Sequence, residues 1–351
     1  MKSKLQNHIK NLKKNTQKTF FIAEIGVNHN GKLSLAKKMI LSAKKSGADA
    51  VKFQTFKAEE LVSPMTPKVA YQKKTTSSKE THYQMIKSLE LSEKMHYKLF
   101  SFCKKNKIEF ISTPYGINAV KFLEKLGCKV FKTASADLVD LEMHTYLAKK
   151  KKSVVISVGM GTIKEIYDCV KIYKKYKNKN FVLLHCVSNY PCNHSSLNLN
   201  TIKKIAKEFD CSVGYSDHSL GHEAAVISVC LGARIIEKHF TLNKTYKGPD
   251  HAASSLPSEF QKIVDEVKKA QLILGSEKKI CQPEEYQMSQ VSRKSITLKS
   301  NLSKNQKLKM NQICLKRPGT GLYYKDLKKI LGKKAKYNLF LNQQPSLKDF
   351  Y

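Results

Sequence analysis

Short apolar runs punctuate the chain at regular intervals, and each is followed by a stretch whose apolar residues return every three or four positions. The runs lie at 20–26, 50–55, 109–114, 130–135, 154–159, 181–186, 212–216 and 234–240. Helical spacing follows near 34–46, 92–106, 116–126, 138–149, 162–176, 199–209, 220–231 and 258–274. Alternation of this kind requires parallel strand pairing through right-handed crossovers. Eight units over roughly 250 residues is the size of a closed (β/α)8 TIM barrel, although a doubly wound open sheet has the same local pattern. The expected fold class is α/β, a (β/α)8 TIM barrel, with closure inferred from the count alone. The stretch 57–91, between the second run and its helix, is long for a barrel loop, and such loops are functional or mobile.

The pattern changes after the last long helix. From Pro283 the chain carries a short strand-like segment at 295–298 and the turn Arg317-Pro318-Gly319-Thr320-Gly321. The expected division is a polar extension at 1–18, a barrel at 19–282 and a small module at 283–351. About 70 residues is marginal for independent stability, so the module is expected to dock against a barrel.

Composition narrows the class. The chain has 351 residues, 41% of them hydrophobic, which suits a globular protein with a core rather than a disordered one. Nine cysteines, scattered without C-x-x-C spacing, suggest neither a disulfide framework nor a zinc ribbon, so a cytoplasmic location is expected. Residues 1–18 lack an apolar core, and no run of about 18 apolar residues occurs anywhere, so neither a signal peptide nor a membrane span is expected. The formal charge of +36 invites a nucleic-acid reading. Its distribution opposes that: lysines are spread over nearly every expected helix, as solvated faces are, rather than gathered in one stripe. Only three of the 64 basic residues are arginine, Arg234, Arg293 and Arg317, which points to a compositional bias towards lysine. The field still favours anionic substrates.

In a barrel, chemistry collects where strands end. Polar residues stand at nearly every expected strand end: Glu24, Lys52 and Gln54, Thr113, Lys132 and Ser135, Ser157, His185, Asp217 and His218, and Glu237 with His239. A lysine inside an apolar run such as Ala50-Val51-Lys52-Phe53 needs a partner or a ligand, because an unpaired buried ammonium is costly. Internal ion pairs are one answer, and an anionic substrate the other. His218 and His239 come from consecutive strand ends, so both imidazoles could share one divalent ion, with Glu24 and Asp250 as further oxygen ligands or water-orienters. Val158-Gly159-Met160-Gly161-Thr162 exposes backbone N–H groups at a helix start, suiting phosphate contact, but lacks the third glycine of a dinucleotide site. A Schiff-base aldolase built on Lys132 or Lys52 is the alternative enzyme class.

The motifs in order resemble one family. They are Ala23-Glu24-Ile25-Gly26 with Asn28-His29-Asn30-Gly31, Val51-Lys52-Phe53-Gln54-Thr55, Ser112-Thr113-Pro114 and Ser157-Val158-Gly159-Met160. After them come His185 through Pro191, Gly214-Tyr215-Ser216-Asp217-His218, Glu237-Lys238-His239-Phe240, Gly248-Pro249-Asp250-His251 and Lys316-Arg317-Pro318-Gly319. Together they resemble the bacterial sialic acid synthase family over about residues 19 to 351. The resemblance implies condensation of phosphoenolpyruvate with an N-acetylated amino-sugar aldehyde to give a nine-carbon acid and phosphate. It implies Glu24, Asp250, Lys52 and Lys132 as catalytic groups, and His218 and His239 as ligands of a divalent metal, manganese or magnesium. Gln54, Thr113, Ser135, Asp137, Ser157, His185, Ser188, Asn189, Tyr190 and Arg317 are implied as substrate contacts. It further implies a C-terminal antifreeze-like (SAF) domain in a domain-swapped homodimer, Arg317 reaching the partner's sugar. Ser135-Ala136-Asp137 stands where the family often has Ser-Gly-Glu, which bears on the sugar. Tyr71-Gln72 and the run 85–92 resemble the neuraminic and legionaminic branches more than the pseudaminic one.

Overall fold

The computed structural model describes residues 3–12, 18–77 and 79–351. Eight parallel strands run as β1 (Phe20–Gly26), β2 (Ala50–Thr55), β3 (Glu109–Pro114), β4 (Val130–Thr133), β5 (Ser153–Ser157), β6 (Phe181–His185), β7 (Ser212–Asp217) and β8 (Ile235–His239). The ladder order is β3-β2-β1-β8-β7-β6-β5-β4. The first strand pairs with the last as well as with β2, which an open doubly wound sheet does not do. The seam of the ring falls between β3 and β4, which lie side by side without a regular ladder. The fold is a (β/α)8 barrel, its outer layer made by the helices that follow each strand, from Leu33–Lys45 to Pro257–Leu274.

Side-chain alternation sorts every strand into two faces. Val51, Phe53, Phe131, Val154, Ile156, Leu183, Tyr215 and Ile236 face outward and pack in the main core with helix residues such as Met39, Leu99 and Val264. The opposite face fills the barrel interior. Its lower layer is apolar: Phe20, Ile22, Ala50, Ile111, Val130, Val155, Val182, Leu184 and Ile235. Two residues further along the strands the interior turns polar without becoming exposed, with Glu24, Lys52, Thr113, Lys132, Ser157, Ser216 and Glu237 all buried. One end of the barrel is thereby sealed by packing, and the other is equipped for chemistry.

Part of the expected polar extension is structured. Lys4–Leu12 is a helix whose Leu5 and Ile9, 0% and 1% exposed, join the lower interior layer. Their four-residue spacing puts both on one face, and the amide of Leu5 donates to Glu109 at 2.8 Å. Leu5, Ile9 and Leu12 stand at helical spacing, but three apolar residues among lysines and asparagines are too short a pattern to announce a helix. Residues 1–2 and 13–17 of the extension lie outside the described residues. Leu5→Ala or Ile9→Ala is expected to destabilise the barrel by about 2–4 kcal/mol, the usual cost of truncating a buried aliphatic residue, read as a lower urea midpoint.

The long segment after β2 holds three short helices, Ala58–Leu61, Ala70–Thr75 and His82–Ser88. It is anchored by a small cluster of Val27, Phe56, Met85 and Leu89. The chain divides into two compact units after Gly275, the second running from Ser276 to Tyr351. That unit has its own core of Ile296, Leu298, Leu302, Leu308, Ile313, Ile330, Leu339 and Phe350 around an antiparallel pair, β9 (Ser295–Leu298) and β10 (Ile313–Lys316). All nine cysteines are free thiols. Among the described residues no helix is long and apolar enough to cross a membrane.

Candidate active site

The polar end of the barrel opens into a cavity of about 940 Å³ lined by residues of the strand ends and the loops beyond them. Glu24, Lys52, Gln54, Thr113, Lys132, Ser135, Ser157, Ser188, Asn189, Tyr190, His218, His239 and Asp250 all line it. That volume is at the upper end for small-molecule sites and admits two small substrates together.

Two lysines and two glutamates meet at its floor. The Lys52 ammonium lies 2.9 Å from Glu24 and 3.7 Å from Glu237, and donates to Thr113 at 3.0 Å. Lys132 lies 3.7 Å from the same Glu237 oxygen, and donates to Ser157 at 2.6 Å and to the Thr133 carbonyl at 3.0 Å. Parallel register explains the convergence, since Glu24 pairs with Lys52 on one side and with His239 on the other. The two cations are thus matched by two carboxylates, and the internal ion pairing that the sequence left open is present. Burial alone would neutralise every member. In Lys52 it is outweighed by Glu237 and Glu24, which raise the pKa. In Lys132 burial prevails over Glu237 and lowers it. Burial pushes Glu24 up to about 7 against the pull of Lys52, so this carboxyl is poised to exchange a proton near neutrality.

His218 and His239 stand side by side with ring centroids 5.6 Å apart, and Tyr190 packs on both. The Val187 carbonyl, 2.7 Å from Nδ1 of His218, can only accept, so Nδ1 carries the proton and Nε2 keeps its lone pair. Nδ1 of His239 is buried without a hydrogen-bond partner and lies 3.9 Å from Asp250. Burial lowers His218 to about 4 and His239 well below the usual imidazole range, so both rings are neutral. Burial also raises Asp250 to about 6. Two neutral imidazoles, one tautomer fixed and one nitrogen orphaned, fit a divalent ion with no thiolate present. Among the described residues no set of three or more His, Cys, Asp or Glu converges on one point, so the other positions would fall to water or substrate.

Hydroxyls form the remaining wall. The Gly159 amide donates to Ser135 at 3.1 Å. A Cβ on Gly159 would sit 2.6 Å from the Ser188 hydroxyl, 2.7 Å from the Cys186 sulfur and 2.9 Å from the Ser135 hydroxyl, so only glycine lets these groups close together.

Two of the implied substrate contacts, His185 and Asp137, lie outside the cavity lining, and the strand-end Asp217 pairs with Lys238 instead. Leu184 points into the barrel, so alternation turns His185 outward, where it stacks on Tyr215 and bonds the Leu197 carbonyl at 2.7 Å, outside the cavity lining. Asp137 lies in the 3-10 turn Ser135–Val139, also outside the lining, and burial raises it to about 6. Arg317 belongs to the second unit, exposed, with Nε donating to the Ser292 carbonyl. Conversely, Tyr115 lines the cavity without any sequence signal for a site role, and Ser216, Glu237 and Tyr71, legible in the sequence only as members of motifs and, for Glu237, as a strand-end charge, line it too. Period-two spacing back from His218 and His239 places Ser216 and Glu237 on the interior face.

The fold and the site define a (β/α)8 barrel that handles anions and carbohydrate-sized ligands at the C-terminal ends of its strands. The chain belongs to the NeuB family, whose model matches residues 39–279. It is 41% identical over 324 residues to an N,N'-diacetyllegionaminic acid synthase of Legionella pneumophila, covering 91% of both chains. A pseudaminic acid synthase of Campylobacter jejuni is 34% identical, over 91% of this chain and 93% of that one. Among solved structures, the N-acetylneuraminic acid (sialic acid) synthetase of Leptospira borgpetersenii in complex with citrate superposes with a TM-score of 0.69 at 35% identity. That match covers 77% of this chain and 90% of the other.

Proposed function

We propose that the chain condenses phosphoenolpyruvate with an N-acetylmannosamine-type sugar aldehyde to give a nonulosonic acid and phosphate. The observation that carries this reading is the buried Lys52 and Lys132 pair beside two neutral histidines in one cavity. Phosphoenolpyruvate brings a phosphate and a carboxylate, and Lys52, Lys132, Thr113, Ser157, Ser135 and Ser188 supply the donors that hold it oriented and dry. C3 of phosphoenolpyruvate bonds to the aldehyde carbon, whose oxygen gains a proton. A water oxygen joins C2, one of its protons balancing the one gained by the aldehyde oxygen; the C2–O bond to phosphate then breaks, the second proton leaves with phosphate, and C2 becomes the ketone. Glu24, with its raised pKa, exchanges a proton at this floor, while Asp250 orients the sugar. His218 and His239 would hold a divalent metal, manganese or magnesium, which when bound polarises the sugar carbonyl.

Lys132 has the lowered pKa that a Schiff-base aldolase needs. Its contacts argue otherwise, because the ammonium donates to Ser157 and to the Thr133 carbonyl and lies 3.7 Å from the Glu237 carboxylate, which favours the charged form over the free amine that an imine requires. The sugar side of the cavity is walled by Val27, Phe56, Leu61, Val69, Met85 and Ile86. Such a wall suits acetamido methyls and a deoxygenated C6, favouring a diacetamido-trideoxy sugar of the legionaminic kind over N-acetylmannosamine. A cytoplasmic setting, where both substrates would be made, belongs to the same reading. So does a domain-swapped homodimer in which the SAF-type second unit presents Arg317 to the partner's sugar. A planar guanidinium suits that contact better than the lysines that otherwise dominate the chain.

The test is phosphate release with manganese and a panel of N-acetylmannosamine, diacetamido-trideoxymannose and diacetamido-trideoxyaltrose, with the product read by mass spectrometry. Turnover with the mannose-configured diacetamido sugar is expected. Preference for the altrose sugar would make it a pseudaminic acid synthase, and silence with all three would overturn the reading. Mixed Lys52→Ala and Arg317→Ala subunits, each inactive alone, are expected to regain activity; no recovery would remove the swap.

A further inference from the structure

The motif Asn28-His29-Asn30-Gly31 has no part in the chemistry above, yet Asn28 is 0% exposed and His29 1%. We propose that Asn28 and Asn30 are positioning residues that clamp the Asp250-bearing loop onto the mouth of the barrel. The inference rests on the role given to Asp250 as a sugar contact.

Asn28 bridges two elements from a third. Its Nδ2 donates to the Phe240 carbonyl, directly after His239, at 3.0 Å, and to the Ser254 hydroxyl at 2.8 Å. Ser254 passes the bond on, donating to the Asp250 carbonyl at 2.7 Å. The amide orientation follows from chemistry, because the Phe240 carbonyl can only accept. Oδ1 of Asn28 is left buried without a hydrogen-bond partner among the described residues.

Asn30 holds the other flank of the same loop. Its Nδ2 donates to the Lys247 carbonyl at 2.9 Å, and its Oδ1 lies 3.3 Å from Nε2 of His251. The other ring nitrogen of His251, Nδ1, lies 2.7 Å from the Thr241 hydroxyl. Gly248 makes the approach possible: a Cβ there would lie 2.8 Å from the His251 ring and 2.9 Å from Oδ1 of Asn30. Asp250 is thus pinned on both sides, through Ser254 and through Lys247 and His251, by one turn after β1. The bonds span the two strands whose ends carry Glu24 and His239, so the clamp couples the carboxylate of the loop to the floor of the site.

The test uses the full-length protein with Asn28→Ala, Asn30→Ala and the conservative Asn28→Gln. Amide hydrogen exchange in 247–254 is expected to accelerate at least tenfold in the alanine variants, while exchange in the lower barrel layer stays unchanged. With the panel sugar that is turned over, KM for the sugar is expected to rise at least tenfold and KM for phosphoenolpyruvate to stay within twofold. Unchanged exchange in 247–254, or equal losses towards both substrates, would overturn the clamp. Global unfolding of Asn28→Ala moves the decision to Asn30→Ala, whose bonds are more exposed. Absence of turnover in the parent protein would count against the proposed function alone, because the exchange measurement reads the clamp without catalysis.

Discussion

His239→Ala is expected to abolish metal-dependent phosphate release, by at least about 10³-fold, while the protein remains folded. A factor of that size corresponds to about 4 kcal/mol of barrier, within what a Lewis acid contributes to a developing negative charge. The variant separates chemistry from stability because Nδ1 of His239 has no hydrogen-bond partner to lose. His218→Ala is the less clean choice, since it strands the Val187 carbonyl. Manganese affinity, followed by titration calorimetry, is expected to fall at least tenfold in parallel, with the thermal midpoint nearly unmoved. Metal-stimulated turnover surviving in His239→Ala would remove the metal assignment.

Lys52→Met is expected to eliminate turnover and to destabilise the barrel by about 3–5 kcal/mol, because it leaves two buried carboxylates facing one remaining cation. Loss of activity in that variant alone would therefore be ambiguous. The double variant Lys52→Met with Glu24→Gln removes one charge of each sign, and is expected to regain most of the stability but none of the activity. Urea midpoints and phosphate release together decide the matter. A double variant that turns over phosphoenolpyruvate would show the cluster to be a structural ion-pair network and nothing more.

Much of this site was legible because a barrel strand obeys period two so strictly. Lys52 in Ala50-Val51-Lys52-Phe53 could not point outward without displacing Val51 or Phe53 from the core, so it had to enter the interior. By the same rule His185, whose neighbour Leu184 occupies the interior, turns outward, and Glu237, two residues before His239, turns inward. Lys238 and Asp217 illustrate the complement: both are strand-end charges, yet both face outward and pair with each other at 2.7 Å. The helix Lys4–Leu12 escaped notice for a different reason, because its two core residues gain meaning only from the apolar layer they cover.

The sequence by itself determined the order of strands and helices, the class of fold, and the motif set that places the chain in its family. Those depend on local periodicity and on residue identity, which the chain carries within a few positions of each element. Only the tertiary structure decided ring closure, the pairing of Lys52 and Lys132 with Glu24 and Glu237, the tautomer of His218, and the hold of Asn28 and Asn30 on the Asp250 loop. Each of these joins groups far apart in sequence, and a charge or a hydrogen bond acquires its partner only when the barrel closes and excludes water.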